Sequence, residues 1–255
     1  MSEGSLRIKA VNVTAGVRAG VGSLSRERAL VIALLASLVL WNLPFGGFVL
    51  YPFKLFATWL HELSHGLAMA VTGAGFDRLD IYRDTSGISY ARGGTTALGA
   101  AIIASAGYLG TALFGAGFLV LGQSRRGART VLVGLASILA ISAALWIENR
   151  FGIIVAWAGA GMFLLAALIS ERVAVLVVNF VAAQASINAV LDIRVLFRPN
   201  MVINGKIVGR SDAHNMAAAT FGNHWLWATV WLVISLALLY AALRIIYVRR
   251  EGHHR

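Results

Sequence analysis

The sequence predicts an all-α polytopic membrane protein of about six to seven transmembrane helices, with a β-hairpin at the membrane surface after the second. Three observations predict it. Apolar residues make up 58% of the 255-residue chain and charged residues only 13%, about half the charged share of a soluble globular domain. The apolar residues fall in runs of about 20, the length a helix needs to cross a bilayer. The charges gather in the gaps between those runs and at both ends. A chain this apolar cannot cover its own surface with polar groups, so the lipid bilayer must solvate much of it.

The formal net charge of +11 does not point to nucleic acid. Lys and Arg concentrate in residues 1–28, in short gaps between apolar runs, and in the tail at 248–255. That is where membrane proteins anchor helix ends and set orientation. The basic residues weakly favour a cytoplasmic N-terminus and hairpin, with Arg125-Arg126 and Arg249-Arg250 pulling the other way. The chain has no cysteine, so disulfide frameworks and thiolate metal sites are excluded and any metal must be held by His, Asp or Glu. Residues 1–28 lack a signal-peptide pattern. Usage rich in Ala, Gly, Val and Arg suggests a bacterial cytoplasmic membrane as the location. Oligomeric state is not legible.

A single transmembrane domain is expected over 29–247. Ala29–Phe53 contains no Asp, Glu, Lys or Arg and supplies span one, which is expected to end near Pro44 to Leu50. Span two runs over 53–72, with Lys54 at its edge and Glu62 inside. Residues 73–96 are polar and Gly-rich; Leu79-Asp80-Ile81-Tyr82 and Gly87-Ile88-Ser89-Tyr90 alternate around Asp84-Thr85-Ser86, which predicts a β-hairpin over 76–91. Spans three to six follow within 97–121, 130–147, 151–169 and 173–197. The tight Glu148-Asn149-Arg150 link between spans four and five is why six remains an alternative to seven. A polar connection over 198–223 leads to span seven, 225–247, with Trp225, Trp227, Trp231, Tyr240 and Tyr247 as interface anchors.

The chemistry concentrates in span two. His61-Glu62-Leu63-Ser64-His65 fits the HExxH pattern: histidines at i and i+4 share one helix face and can reach one zinc ion, and the glutamate between them is placed to take a proton from zinc-bound water. Ionisable groups inside a span are costly and usually functional. The bland reading is a buried polar cluster satisfied by neighbouring helices. Two histidines leave the ligand set incomplete, because catalytic zinc sites carry three protein ligands and an open position. Asp192 in span six is the leading candidate for the third. Asn188, one turn earlier on the same face, is placed to steady a ligand or an oxyanion. Asp192 otherwise reads as a helix-end charge. Asp212 and His214 are the runners-up, with Ser211 or Asp212 more readily explained as a helix cap. His224 beside Trp225 reads as an interface residue.

These residues resemble the site-2 protease family of intramembrane zinc metalloproteases, and within it the compact bacterial branch of peptidase-like membrane proteins. The resemblance rests on Thr58-Trp-Leu-His61-Glu-Leu-Ser-His65-Gly66, Ser105-Ala-Gly107-Tyr-Leu-Gly110 and Asn188-Ala-Val-Leu-Asp192. It implies that His61, His65 and Asp192 hold Zn2+, that Glu62 is the general base, and that Asn188 lies near the substrate. The implied substrate is a transmembrane protein segment, unwound locally so that its peptide groups are accessible. Two positions depart from the family pattern: Tyr108 stands where proline is usual, and Ile193 where glycine is usual. A non-catalytic zinc-binding scaffold and a small proton or metal transporter are the competing readings.

Overall fold

The computed structural model describes residues 35–37, 39–191, 200–203 and 205–251. Its order is α1 (Gly46–Val71), β1 (Phe76–Ile81), β2 (Gly87–Ala91), α2 (Ala97–Leu121), α3 (Arg125–Leu145), α4 (Arg150–Ile169), α5 (Glu171–Leu191), β3 (Asn200–Ile203), β4 (Lys206–Arg210), α6 (Asp212–Ala219) and α7 (His224–Glu251). The protein is an all-α polytopic membrane protein carrying two small hairpins.

The start of the HExxH helix is corrected from Phe53 to Gly46, while the break before it falls at the edge of the range expected for the end of span one, near Pro44. One helix runs unbroken through Phe53 from Gly46 to Val71, so the apolar residues just before Phe53 belong to the HExxH helix. The break falls at Leu43–Phe45, around Pro44, where proline disfavours helix for the residue before it. The preceding helical stretch, Leu35–Asn42, meets α1 at 118°. Among the described residues, four helices (α2, α3, α4 and α7) are long and apolar enough to span, or five if α1 and the stretch before it make one bent span. That is fewer than the six to seven expected. The expected span over 173–197 is present as the helix α5, whose described part ends at Leu191.

The outward faces are apolar: Ile154, Leu168 and Val233 are 67%, 69% and 60% exposed. A water-facing helix would place charges there. Inside, helix α2 is the hub, packed on α1, α5, α6 and α7. Its small residues permit this, because lipid gives no hydrophobic drive between helices and close backbone approach must supply the packing. Gly107 and Gly110 face α1, and Gly115 and Gly122 face α5. Thr96 caps the start of α2 by accepting from the Gly99 N–H at 3.1 Å, and Ser124 caps α3 through the Gly127 N–H at 2.9 Å.

The first hairpin forms where the alternation places it, with Leu79 paired to Ser89 and Ile81 to Gly87. Thr85 in its turn takes the left-handed conformation, φ 67°. The hairpin doubles back along α1. Phe76 packs on Gly66, Ser89 meets Glu62, the Thr58 hydroxyl donates to the Thr85 carbonyl at 2.6 Å, and the Tyr51 hydroxyl donates to the Arg83 carbonyl at 2.8 Å. Its other side is tied to the α3–α4 connection: the Leu79 N–H donates to the Trp146 carbonyl at 2.9 Å and the Ile81 N–H to Asn149 Oδ1 at 3.2 Å. Asn149 occupies the N-cap position of α4 but makes no capping bond; its side chain serves the hairpin instead.

The second hairpin was not expected. Residues 198–223 read as a polar connection, yet they contain β3, β4 and α6. The signal was present: Asn204-Gly205 stands between Met201-Val202-Ile203 and Lys206-Ile207-Val208, and Asn-Gly between apolar runs is a strong hairpin cue. Gly205 takes φ 75°.

Candidate metal centre

Helix α1 places His61 and His65 on the face that meets α2. Gly107 of α2 is what lets the two helices close there: a Cβ on it would lie 2.4 Å from His61 Cε1, His61 Nε2 and His65 Nε2. The glycine therefore cradles both imidazoles. One turn on, Gly110 makes the same room for Ser64. His65 Nδ1 donates to the Ile103 carbonyl at 2.7 Å, which fixes the tautomer and leaves Nε2 free to bind. This is how metal-ligating histidines are oriented by an outer shell. His61 packs edge-on against the Tyr108 ring, centroids 4.7 Å apart, and Tyr108 stacks on Trp231 of α7. The tyrosine found in place of the family's proline therefore walls the site.

The third group comes from α6. Asp212 is its first residue, with Ser211 at the N-cap position. The helix is seated by Ala213, fully buried, and Met216, which pack among Ala101, Ala104 and Tyr108 of α2 and Ala228 and Trp231 of α7. That seat brings Asp212 Oδ2 to 3.2 Å from His61 Nε2 and 3.3 Å from His65 Nε2, with the two nitrogens 3.0 Å apart. Two ligand atoms on one tetrahedral zinc, each bonded at about 2.0–2.1 Å, stand about 3.3 Å apart. The three edges match that spacing, and two imidazoles with one carboxylate form an ordinary zinc donor set. His61, His65 and Asp212 can therefore hold a metal together. The side chains of His61 and Asp212 stay 21% and 23% exposed, so the triangle opens on one side.

It opens into a cleft of about 1200 Å³ lined by α1, β2, α2, Asn188 and the second hairpin. Glu62 lines the same cleft, and its Oε2 accepts from Ser89 Oγ at 2.7 Å. Asn188 is buried there, and its side-chain N–H group has no hydrogen-bond partner among the described residues.

Of the expected site residues, the structure brings together His61, Glu62, His65 and Asn188. Asp192 lies outside the described residues. Asp212, the runner-up, stands against the histidines. His214 does not join them: its Nδ1 lies 3.0 Å from Ser211 Oγ and its ring stacks on His224 at 3.9 Å. Ser211 thus sits at the cap position without a capping bond from its side chain. Sequence reading missed Ser89 and the Ile103 carbonyl, neither of which carries a local signal.

An HExxH helix joined by a carboxylate inside an apolar helical bundle defines a membrane protein with a candidate metal centre. Residues 30–242 match the model of the Peptidase M50B-like family, and the chain belongs to that family, in the site-2 protease group that the motifs resemble. No curated protein and no solved structure matched it.

Proposed function

We propose that the protein is an intramembrane zinc peptidase that hydrolyses peptide bonds in or near transmembrane segments of other membrane proteins, with His61, His65 and Asp212 holding the zinc and Glu62 acting as general base. The observation that carries the reading is the triangle of Nε2, Nε2 and Oδ2 opening into the cleft that Glu62 lines. Bound zinc would polarise the attacking water and the scissile carbonyl. The protein's own residues do the rest. The Glu62 carboxylate takes the water proton and returns it to the leaving amine. The buried Asn188 amide is an available donor for charge developing on the carbonyl oxygen.

The hairpin supports an extended substrate. One edge of β1 is closed by the bonds from Leu79 and Ile81 to the α3–α4 connection. The Tyr82 N–H donates to the Ser86 carbonyl at 2.8 Å, which sets the parity of the ladder. Antiparallel pairs alternate between bonded and non-bonded, so the main-chain groups of Gly87 and Ser89 point to the outer side of β2. No third strand pairs there among the described residues. An unwound substrate segment can add to that edge by strand pairing, alongside Glu62.

The test is zinc content and cleavage on the detergent-purified full chain. Wild type is expected to hold about one zinc, lost in His61→Ala, His65→Ala and Asp212→Ala, and kept in Glu62→Gln. Glu62→Gln is expected to abolish cleavage of a transmembrane-peptide library read by mass spectrometry. If Asp192→Ala loses zinc while Asp212→Ala keeps it, the third ligand is Asp192. Zinc-free wild type would remove the peptidase reading. A Glu62→Gln phenotype equal to wild type in the cell would favour a scaffold.

A further inference from the structure

We propose that Ser89 is a positioning residue that holds the Glu62 carboxylate toward the metal triangle; the proposal rests on the peptidase reading above. Its hydroxyl lies 2.7 Å from Glu62 Oε2 and 2.7 Å from the Glu62 main-chain oxygen. Glu62 is 5% exposed, and a buried polar group needs hydrogen-bond partners to offset the hydration it has lost. Of its two carboxylate oxygens, Oε2 has this one donor from the hairpin. A hydrogen bond to a charged group is among the stronger ones a protein makes, and it fixes which way the glutamate side chain turns.

The glycine two residues earlier leaves room for this contact. Gly87 and Ser89 share a face of β2, the one against α1. A Cβ on Gly87 would lie 2.7 Å from Glu62 Cγ and 2.7 Å from Thr58 Cγ2. A larger residue there would push the strand off the glutamate and part Ser89 from Oε2. Two further bonds hold the hairpin to α1 without touching Glu62: Thr58 to Thr85, and Tyr51 to Arg83. Docking therefore does not depend on Ser89 alone, and the effect of its hydroxyl on the carboxylate can be separated from docking by comparison with Thr58. Ser89 also directs its main-chain groups to the outer side of β2. The residue that would receive an added strand is the one that aims the base.

The experiment loads the full-length protein with Co2+ in place of zinc and follows its visible absorption bands as acetohydroxamic acid is added. The hydroxamate binds the metal and donates its hydroxyl proton to a correctly aimed Glu62. Four variants are compared: Glu62→Gln, Ser89→Ala, Ser89→Thr and Thr58→Val. Cobalt stoichiometry is expected to be unchanged in all four, which also reports that the site has folded. Ser89→Ala is expected to weaken hydroxamate binding about tenfold, the loss of one hydrogen bond to a charged group. Ser89→Thr should restore it to within about threefold, and Thr58→Val should leave it unchanged. Equal weakening in Ser89→Ala and Thr58→Val would reduce Ser89 to a docking contact and overturn the proposal. So would wild-type affinity in Ser89→Ala, or loss of cobalt from it. If Glu62→Gln binds the hydroxamate as wild type does, the glutamate is not aimed at the metal and the proposal also falls. A wild type that takes up no cobalt overturns the metal centre itself, and this proposal with it.

Discussion

At Gly107 the site depends on an atom that is missing. Alanine is the better helix former by about 1 kcal/mol, so Gly107→Ala should leave α2 helical. Its methyl would nonetheless stand 2.4 Å from His61 Nε2 and His65 Nε2, closer than real contacts allow. The backbone of α2 cannot yield easily, because Gly110 and Gly115 hold it against α1 and α5 on either side. The expected outcome is unchanged helicity by circular dichroism with zinc affinity reduced at least tenfold by competition with a chromogenic chelator, the scale seen when groups supporting a metal site are altered. Retained affinity would mean that the histidines can turn aside without cost.

Among the elements, the hairpin β1–β2 is the one whose placement decides most, and Asn149 is its anchor. Its side chain accepts from the Ile81 N–H, donates to the Ile81 carbonyl at 2.5 Å, and its own N–H reaches Asp80 Oδ1 at 3.2 Å. Asn149→Ala removes two bonds from a partly buried edge, leaving the Ile81 groups unpaired, which costs about 1–3 kcal/mol. Hydrogen exchange should locate the effect: the amides of Leu79 and Ile81 are expected to exchange ten- to a hundredfold faster, with those of α2 unchanged. Protection preserved at Ile81 would show that the ladder to β2 holds the strand without the anchor. The α6 seat is the matching case on the other wall. Asp212 reaches the histidines only because Ala213 and Met216 lodge between α2 and α7.

For the whole molecule, lipid is a structural component. Exposed leucine, isoleucine and valine side chains ring α2, α3, α4 and α7, and burying each in hydrocarbon contributes about 1.5–3 kcal/mol. Such a chain should stay in the membrane pellet through an alkaline carbonate wash and be released only by detergent. Release by carbonate would refute the multi-pass architecture. Chelation belongs to this scale too. If the metal ties α1 to α6, removing it with 1,10-phenanthroline should lower the thermal midpoint in detergent by several degrees, because a ligand bound only by the folded state stabilises it. Glu62→Gln should show the same drop. Asp212→Ala, with no metal to lose, should show none.

The membrane class, most helix positions, the hairpin over 76–91 and the pairing of His61 with His65 were determined by the sequence itself, because each depends on local spacing: apolar run length, alternation, and the 3.6-residue turn. The break near Pro44 falls at the expected end of span one, and the Asn-Gly cue for the second hairpin was legible in principle. What only the tertiary structure decided is which distant groups meet. Asp212 lies 151 residues from His61 in sequence, and no periodicity relates the two. Its arrival is set by the alanine-and-methionine seat of α6 on its neighbours. Ser89 over Glu62, the Ile103 carbonyl behind His65, and Gly107 beneath both rings follow likewise from how closely small-residue helices approach. Hydropathy records where a segment resides; packing of backbone on backbone determines what stands beside it.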